Sequence, residues 1–273
     1  MSDEAPLRLG GMALRNGLLI HGPTSWAAAA RARSGRIEVA SGPKPVLARG
    51  RLGKTPMLRG PLRLAEALAV VPLVRMRLPS ARLPFEDPRV IAATVASMAA
   101  SGALRRAGIA GRGSAASLAV REGAIAVLGA LPALAALRDR DLAAYHGVEH
   151  KAIGAYERGS TDPAAAPKEH DRCGSNLIAP LLAFSVAGQL VLQSLLERPG
   201  PAAKAVTGLG GVSAAVETFA YADRRPDSAL GRAVHRPGHE IQRLISTREP
   251  TSEQLEVGAA ALAAILREES VTA

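Results

Sequence analysis

Two imidazoles and a carboxylate fall within five positions in the run Tyr145-His146-Gly147-Val148-Glu149-His150-Lys151, an H-x-x-E-H spacing. On a helix, residues four apart share a face about one turn apart, so His146 and His150 can converge on one metal ion. Glu149 falls beside them, where a carboxylate can take a proton from a water that the metal has acidified. The order is that of an inverted zinc-protease motif. Two imidazoles leave the shell incomplete. Glu217, which closes the apolar run Ala205 to Val216, offers a third ligand, because a carboxylate at the end of such a run is costly in lipid and demands a partner. The competing reading is plain: two His and one Glu also occur on ordinary helices, capping carbonyls or facing water.

A second concentration of chemistry lies downstream in His170-Asp171-Arg172-Cys173-Gly174-Ser175, just before a long apolar run. His170 or Cys173 can complete a metal shell there, and Arg172 can hold an oxyanion or a phosphate. The alternative is a polar loop in which Asp171 and Ser175 cap backbone amides. A nucleophilic Cys173 competes with a buried, inert one. His235 and His239 are also four apart, but Pro237 and Gly238 between them predict a surface loop, not an aligned pair. His21 precedes Gly22-Pro23 and reads as a solvated turn histidine.

Composition narrows the classes. The 273 residues hold one cysteine, which forbids an intrachain disulfide and any site of several thiolates. A metal must therefore rest mainly on His and carboxylate. The net charge of +10 suits a nucleic-acid surface, an anionic membrane or a basic soluble protein. The arginines punctuate apolar stretches, as at Arg105-Arg106 and Arg224-Arg225, and there are only seven aromatics to interleave with them (Phe 3, Tyr 3, Trp 1). That pattern argues against nucleic acid and for membrane lipid as a partner. Asp3 and Glu4 and the absence of an apolar run before Gly11 argue against a secretory signal, so the N-terminus is expected in the cytoplasm.

The elements that must position these groups follow from patterning. Gly17 to Val39 reads as two or three short strands between Gly-containing turns, although Ala27 to Ala32 have poor strand propensity. Gly42 to Pro61 is a connector. Leu62 to Val74 predicts an amphipathic helix. Val90 to Leu104 and Gly123 to Leu137 are uncharged for fifteen residues each, short for a span. Asn176 to Leu196 is uncharged for twenty-one residues, about 30 Å as a helix, and is the best membrane candidate. Glu253 to Glu268 predicts a last helix capped by Ser252.

Beyond these local readings, the run YHGVEHKAIGAYERG, the loop HDRCGSNL and the segment TREPTSEQLEVGAAALAAIL together resemble the bacterial domain-of-unknown-function family 1385. Gly10-Gly11-Met12-Ala13 through Asn16-Gly17 to Gly22-Pro23 is similar to that family's opening GGQAVxEGVMMRGP pattern, and Leu58-Arg59-Gly60 to its LRG segment. The sequence departs from the pattern at Met12, Asn16 and His21, where the family has Gln, Glu and Arg, and in HDRCGS for HPRCGT. Its members are described as predicted metal-dependent membrane enzymes. The resemblance implies a site of His146, Glu149, His150, His170, Arg172, Cys173 and Glu217, and it names no substrate.

The expected protein is mainly α, a helical membrane-associated bundle with a small N-terminal β element, integral to the bacterial cytoplasmic membrane. Residues 1–60 form the β-rich segment and connector, and 61–273 the helical domain. The leading function is a zinc-dependent hydrolase, a peptidase being one form of it. His146 and His150 bind the divalent metal, Glu217, His170 or Cys173 completes its shell, Glu149 is the base and Arg172 meets developing negative charge. The alternative is a membrane scaffold or assembly factor whose His/Glu cluster is structural or self-satisfied. Self-association into a homo-oligomer is compatible with either reading.

Overall fold

The computed structural model describes residues 6–109 and 115–272. Four strands, β1 (Gly10–Leu14), β2 (Gly17–His21), β3 (Ser25–Arg31) and β4 (Ile37–Pro43), form an antiparallel meander in the order β1-β2-β3-β4. The sequence reading missed β1 and took the alanines for weak strand formers. They occupy β3, whose residues Trp26 to Ala30 are completely buried. Both faces of the sheet are covered, so small side chains there let helices approach from either side, and burial outweighs intrinsic propensity. Gly17 is required by the same closeness, since a Cβ there would meet the Ala29 carbonyl oxygen at 2.0 Å.

Helices cover the two faces. Leu18, Ile20, Ala27 and Ala29 pack against α4 (Arg140–Glu157) and α8 (Ser252–Thr272). Leu14, Leu19, Trp26 and Ala28 pack against Val70 and Val74 of α1 (Arg59–Arg77). Asn16, in the β1-β2 turn, bonds Arg31 and Ser80 carbonyls and the Arg82 N–H, tying the hairpin to the segment after α1.

The uncharged runs are helical as expected. α2 (Pro88–Ile109) pairs with α3 (Ala115–Ala136), and α5 (Ile178–Leu195) with α6 (Pro201–Asp223), α3 and α5 joining the two hairpins. Two stretches, Ala116–Ala136 and Gly174–Leu195, are long and apolar enough to cross a membrane, each with mean hydropathy 1.6. Among the described residues the chain is thus mainly helical with one small antiparallel sheet.

Two local expectations are corrected. His235 and His239 lie in a helix, α7 (Ala229–Ile241), which continues into a π-helical turn at Gln242–Ser246. Pro237 is accommodated, and Gly238 is buried where a Cβ would meet Asn176 at 1.9 Å, so glycine serves close packing there instead of ending the helix. The cap of α8 is Thr251: its Oγ1 accepts the Gln254 N–H while the Gln254 side chain accepts the Thr251 N–H, a reciprocal capping box.

Candidate metal centre

Helix α4 carries the H-x-x-E-H run and is buried along nearly its whole length from Leu142 to Ala155. Asp139 starts it, its carboxylate accepting the N–H groups of Asp141 and Leu142 and a side-chain bond from Arg15 at 2.6 Å. Asp87, just before α2, takes the other side of Arg15 at 3.1 Å. The β1-β2 turn, the start of α2 and the start of α4 are thereby held to one guanidinium.

The two imidazoles lie side by side, ring centroids 4.4 Å apart. His146 donates its Nδ1–H to the Ser246 carbonyl at 2.8 Å, and His150 donates its Nδ1–H to the Lys168 carbonyl at 2.6 Å. A carbonyl only accepts, so in the neutral ring each Nε2 is left with its lone pair. The His150 Nε2 is buried and has no hydrogen-bond partner. The His146 Nε2 lies 3.4 Å from the Sγ of Cys173. The donor atoms of His146, His150 and Cys173 all lie within 4.8 Å of one another.

These observations decide whether a metal fits. Metal-binding histidines characteristically give their second N–H to a carbonyl or carboxylate, which fixes the tautomer. Bonds of about 2.0–2.3 Å to a tetrahedral zinc put its donors roughly 3.3–3.8 Å apart, close to the observed sulfur–nitrogen separation. An unpartnered, buried imidazole nitrogen aimed at the same point is costly without an occupant. Burial, helped by neighbouring His146, pushes His150 down to about 2, so it is neutral and able to ligate. Burial pushes the Cys173 thiol up to about 11. Against this, Cys173 caps a 3-10 turn that runs into α5 and accepts the Ser175 N–H at 3.5 Å, a setting that favours the thiolate once a cation is present.

Glu149 points toward β1. A Cβ on Gly11 would meet its carboxylate at 2.8 Å, so only glycine leaves the room it occupies. The carboxylate is buried and makes no hydrogen bond among the described residues, and burial raises its pKa, while His146 and His170 pull it the other way. A cavity of about 500 Å³ opens onto these groups, lined by Leu9 to Ala13 of the β1 segment, the end of α3 at Ala133, Ala136 and Leu137, and Gly174-Ser175. His21 also lines it, and burial lowers its pKa to about 4, so the expected solvated turn histidine is instead part of the wall.

The remaining predicted residues are placed differently. Glu217 is outside the cluster: its carboxylate pairs with the Arg59 guanidinium and accepts the Met57 N–H. Helix α1 approaches α6 there through the buried Gly60. The partner that the apolar run demanded is thus an arginine. His170 is near, 5.7 Å from His150 by ring centroid, but its Nδ1 accepts the Arg172 N–H and its Nε2 faces Glu157 at 3.2 Å. Both of its ring nitrogens are thus engaged, and it lies outside the group formed by His146, His150 and Cys173. Arg172 forms an ion pair with the same Glu157. Both residues separate the first cavity from a polar one of about 690 Å³ that they also line.

Several contributors were not foreseen. Lys151 is buried, its Nζ donating to the Ala164 and Ala166 carbonyls and pairing with Glu249 at 3.0 Å, which anchors the loop whose Lys168 carbonyl orients His150. Gly147 lets the Ser246 to Arg248 segment approach α4, since a Cβ there would meet the Arg248 carbonyl oxygen at 2.3 Å. A glycine inside the motif was the available signal.

The sequence profile of a family described as "Protein of unknown function (DUF1385)" matches residues 124–268. The match spans more than half of the chain, and the protein belongs to that family. No curated protein and no solved structure matches it.

Proposed function

We propose that the protein is a metal-dependent hydrolase of the membrane interface, with zinc on His146, His150 and Cys173. The observation that carries this reading is the pair of imidazoles, each fixed through Nδ1–H on a backbone carbonyl, whose remaining donor atoms and one sulfur lie within 4.8 Å of one another. A divalent ion held by these three residues would supply a Lewis acid and lower the pKa of a water toward neutrality. Glu149, unpaired at the cavity, would accept a proton from a water attacking the substrate and pass it to the leaving group. Arg172, held by Glu157 at the cavity wall, faces the developing negative charge on the substrate.

The membrane reading rests on exposure. Val120, Val127, Leu131 and Leu134 of α3 and Val191 and Leu195 of α5 are exposed, more apolar surface than a soluble face ordinarily leaves open. Small residues between the paired helices suit close packing in lipid. The ends of α3 and α5 nearest the cavity would then lie at the bilayer surface. Recovery of the full chain in the supernatant after high-speed centrifugation without detergent would contradict this placement.

The Sγ–Nε2 contact also favours a second reading, a thiol nucleophile with His146 as its base. The orphaned His150 nitrogen speaks for the metal instead, and the raised thiol pKa speaks against a thiolate nucleophile at rest. Glu149→Gln separates the hydrolase from a structural metal site. The hydrolase predicts unchanged zinc content and hydrolysis lowered about 10²- to 10⁴-fold. Undiminished turnover would contradict the role given to Glu149.

A further inference from the structure

The strand β1 is an edge of the sheet, pairing only with β2. Its turn is two residues long, so Leu14 and Gly17 form a hydrogen-bonded pair, and alternation directs the N–H and C=O groups of Leu14, Met12 and Gly10 toward β2. Those of Gly11 and Ala13 point the other way. No side chain and no backbone group elsewhere among the described residues bonds to them. This unpaired edge is not in open solvent: Leu9 to Ala13 form one wall of the cavity that holds His146, Glu149, His150 and Cys173.

We propose that this edge binds its substrate as an added β-strand, an extended peptide whose backbone pairs with Gly11 and Ala13. Main-chain donors and acceptors left at regular spacing along a cavity are complementary to another extended backbone, whereas an acyl chain offers them nothing. The same cavity is lined by the apolar Ala133, Ala136, Leu137 and Leu142, which suit small apolar side chains, so the peptide is apolar in composition. Gly11 adds a second argument. A Cβ on Gly11 would meet the Glu149 carboxylate, so that carboxylate lies against the face of β1 at one of the two residues that offer the unpaired edge. Placing the scissile amide there rests on the hydrolase reading; pairing with the edge does not.

The test uses the full chain in lipid nanodiscs, loaded with zinc, with amide hydrogen exchange measured at Gly11 and Ala13. The probe is a mixture of capped hexapeptides of alanine, valine and leucine. The comparison probes are the same mixture N-methylated at every residue, and lysophosphatidylcholine. The expected result is exchange slowed at least about tenfold at both amides by the unmethylated peptides only, because N-methylation removes the donors of the ladder. Equal slowing by both mixtures, slowing by lysophosphatidylcholine alone, or unchanged exchange would overturn the proposal. The same slowing is expected in a His146→Ala/His150→Ala variant, since the dock is β1 backbone. Zinc content measured on the same samples scores the hydrolase reading separately: a zinc-free wild type that still shows the slowing keeps the strand dock and loses the hydrolase.

Discussion

The Sγ of Cys173 lies 3.4 Å from the Nε2 of His146, across the junction between a buried helix and the loop that starts α5. This contact brings the only thiol in the chain to the imidazole pair and supplies the third donor. Cys173→Ser should weaken zinc affinity about 10- to 100-fold or more, on the scale at which even outer partners of metal sites act. Cobalt-loaded wild type should show a thiolate-to-metal charge-transfer band that the serine variant lacks. The same band in both proteins would exclude the sulfur as a ligand.

Gly147 sits one residue from His146 with the Arg248 carbonyl directly above it. Gly147→Ala should push away the segment whose Ser246 carbonyl orients His146 and whose Arg248 N–H bonds the Ala143 carbonyl at 2.9 Å. Overpacking of this kind costs about 1–3 kcal/mol, and metal affinity should fall with it. Chemical denaturation together with zinc titration of the variant checks both effects. A variant of wild-type stability and affinity would show that the close approach does not position His146.

Arg15 and Asp139 couple the sheet to the start of α4. Burial works against the Asp139 charge, but the bonds from Arg15 and from the Leu142 and Asp141 N–H groups outweigh it and hold the carboxyl below its ordinary value of 3.8. A depressed folded-state pKa contributes stability above the unfolded value and loses it as pH falls through the folded one. Asp139→Ala should therefore cost about 1–3 kcal/mol at neutral pH, from a lost helix cap and a lost charged hydrogen bond. The gap between the two proteins should narrow in urea denaturation as pH falls below 3.8. An undiminished gap in acid would assign the loss to packing.

Legibility in the sequence followed the range of the interactions. Most of the helices were readable because uncharged runs and helical spacing are local properties, and the H-x-x-E-H face followed from the helical repeat alone; α7 was not, because Pro237 and Gly238 read as breakers and their tolerance comes from packing on Asn176. The alanine strand was harder, because its order comes from helices on both faces and not from its own propensity. The third donor depended on which distant segment reaches α4. Glu217 was an attractive candidate as a carboxylate needing a partner, and Arg59 meets that need. The carbonyls of Ser246 and Lys168 carry no side-chain signature, so no pattern could have announced them. Gly147 and Gly11 left a trace, as glycines where a side chain would collide with the site's supports.

Zinc content of the purified chain, measured by elemental mass spectrometry after dialysis against zinc and then buffer, tests the metal centre most directly. The account predicts about one equivalent in the wild type and little in a His146→Ala/His150→Ala variant of the same fold by circular dichroism. Equal content in the two proteins, or none in the wild type, would contradict it.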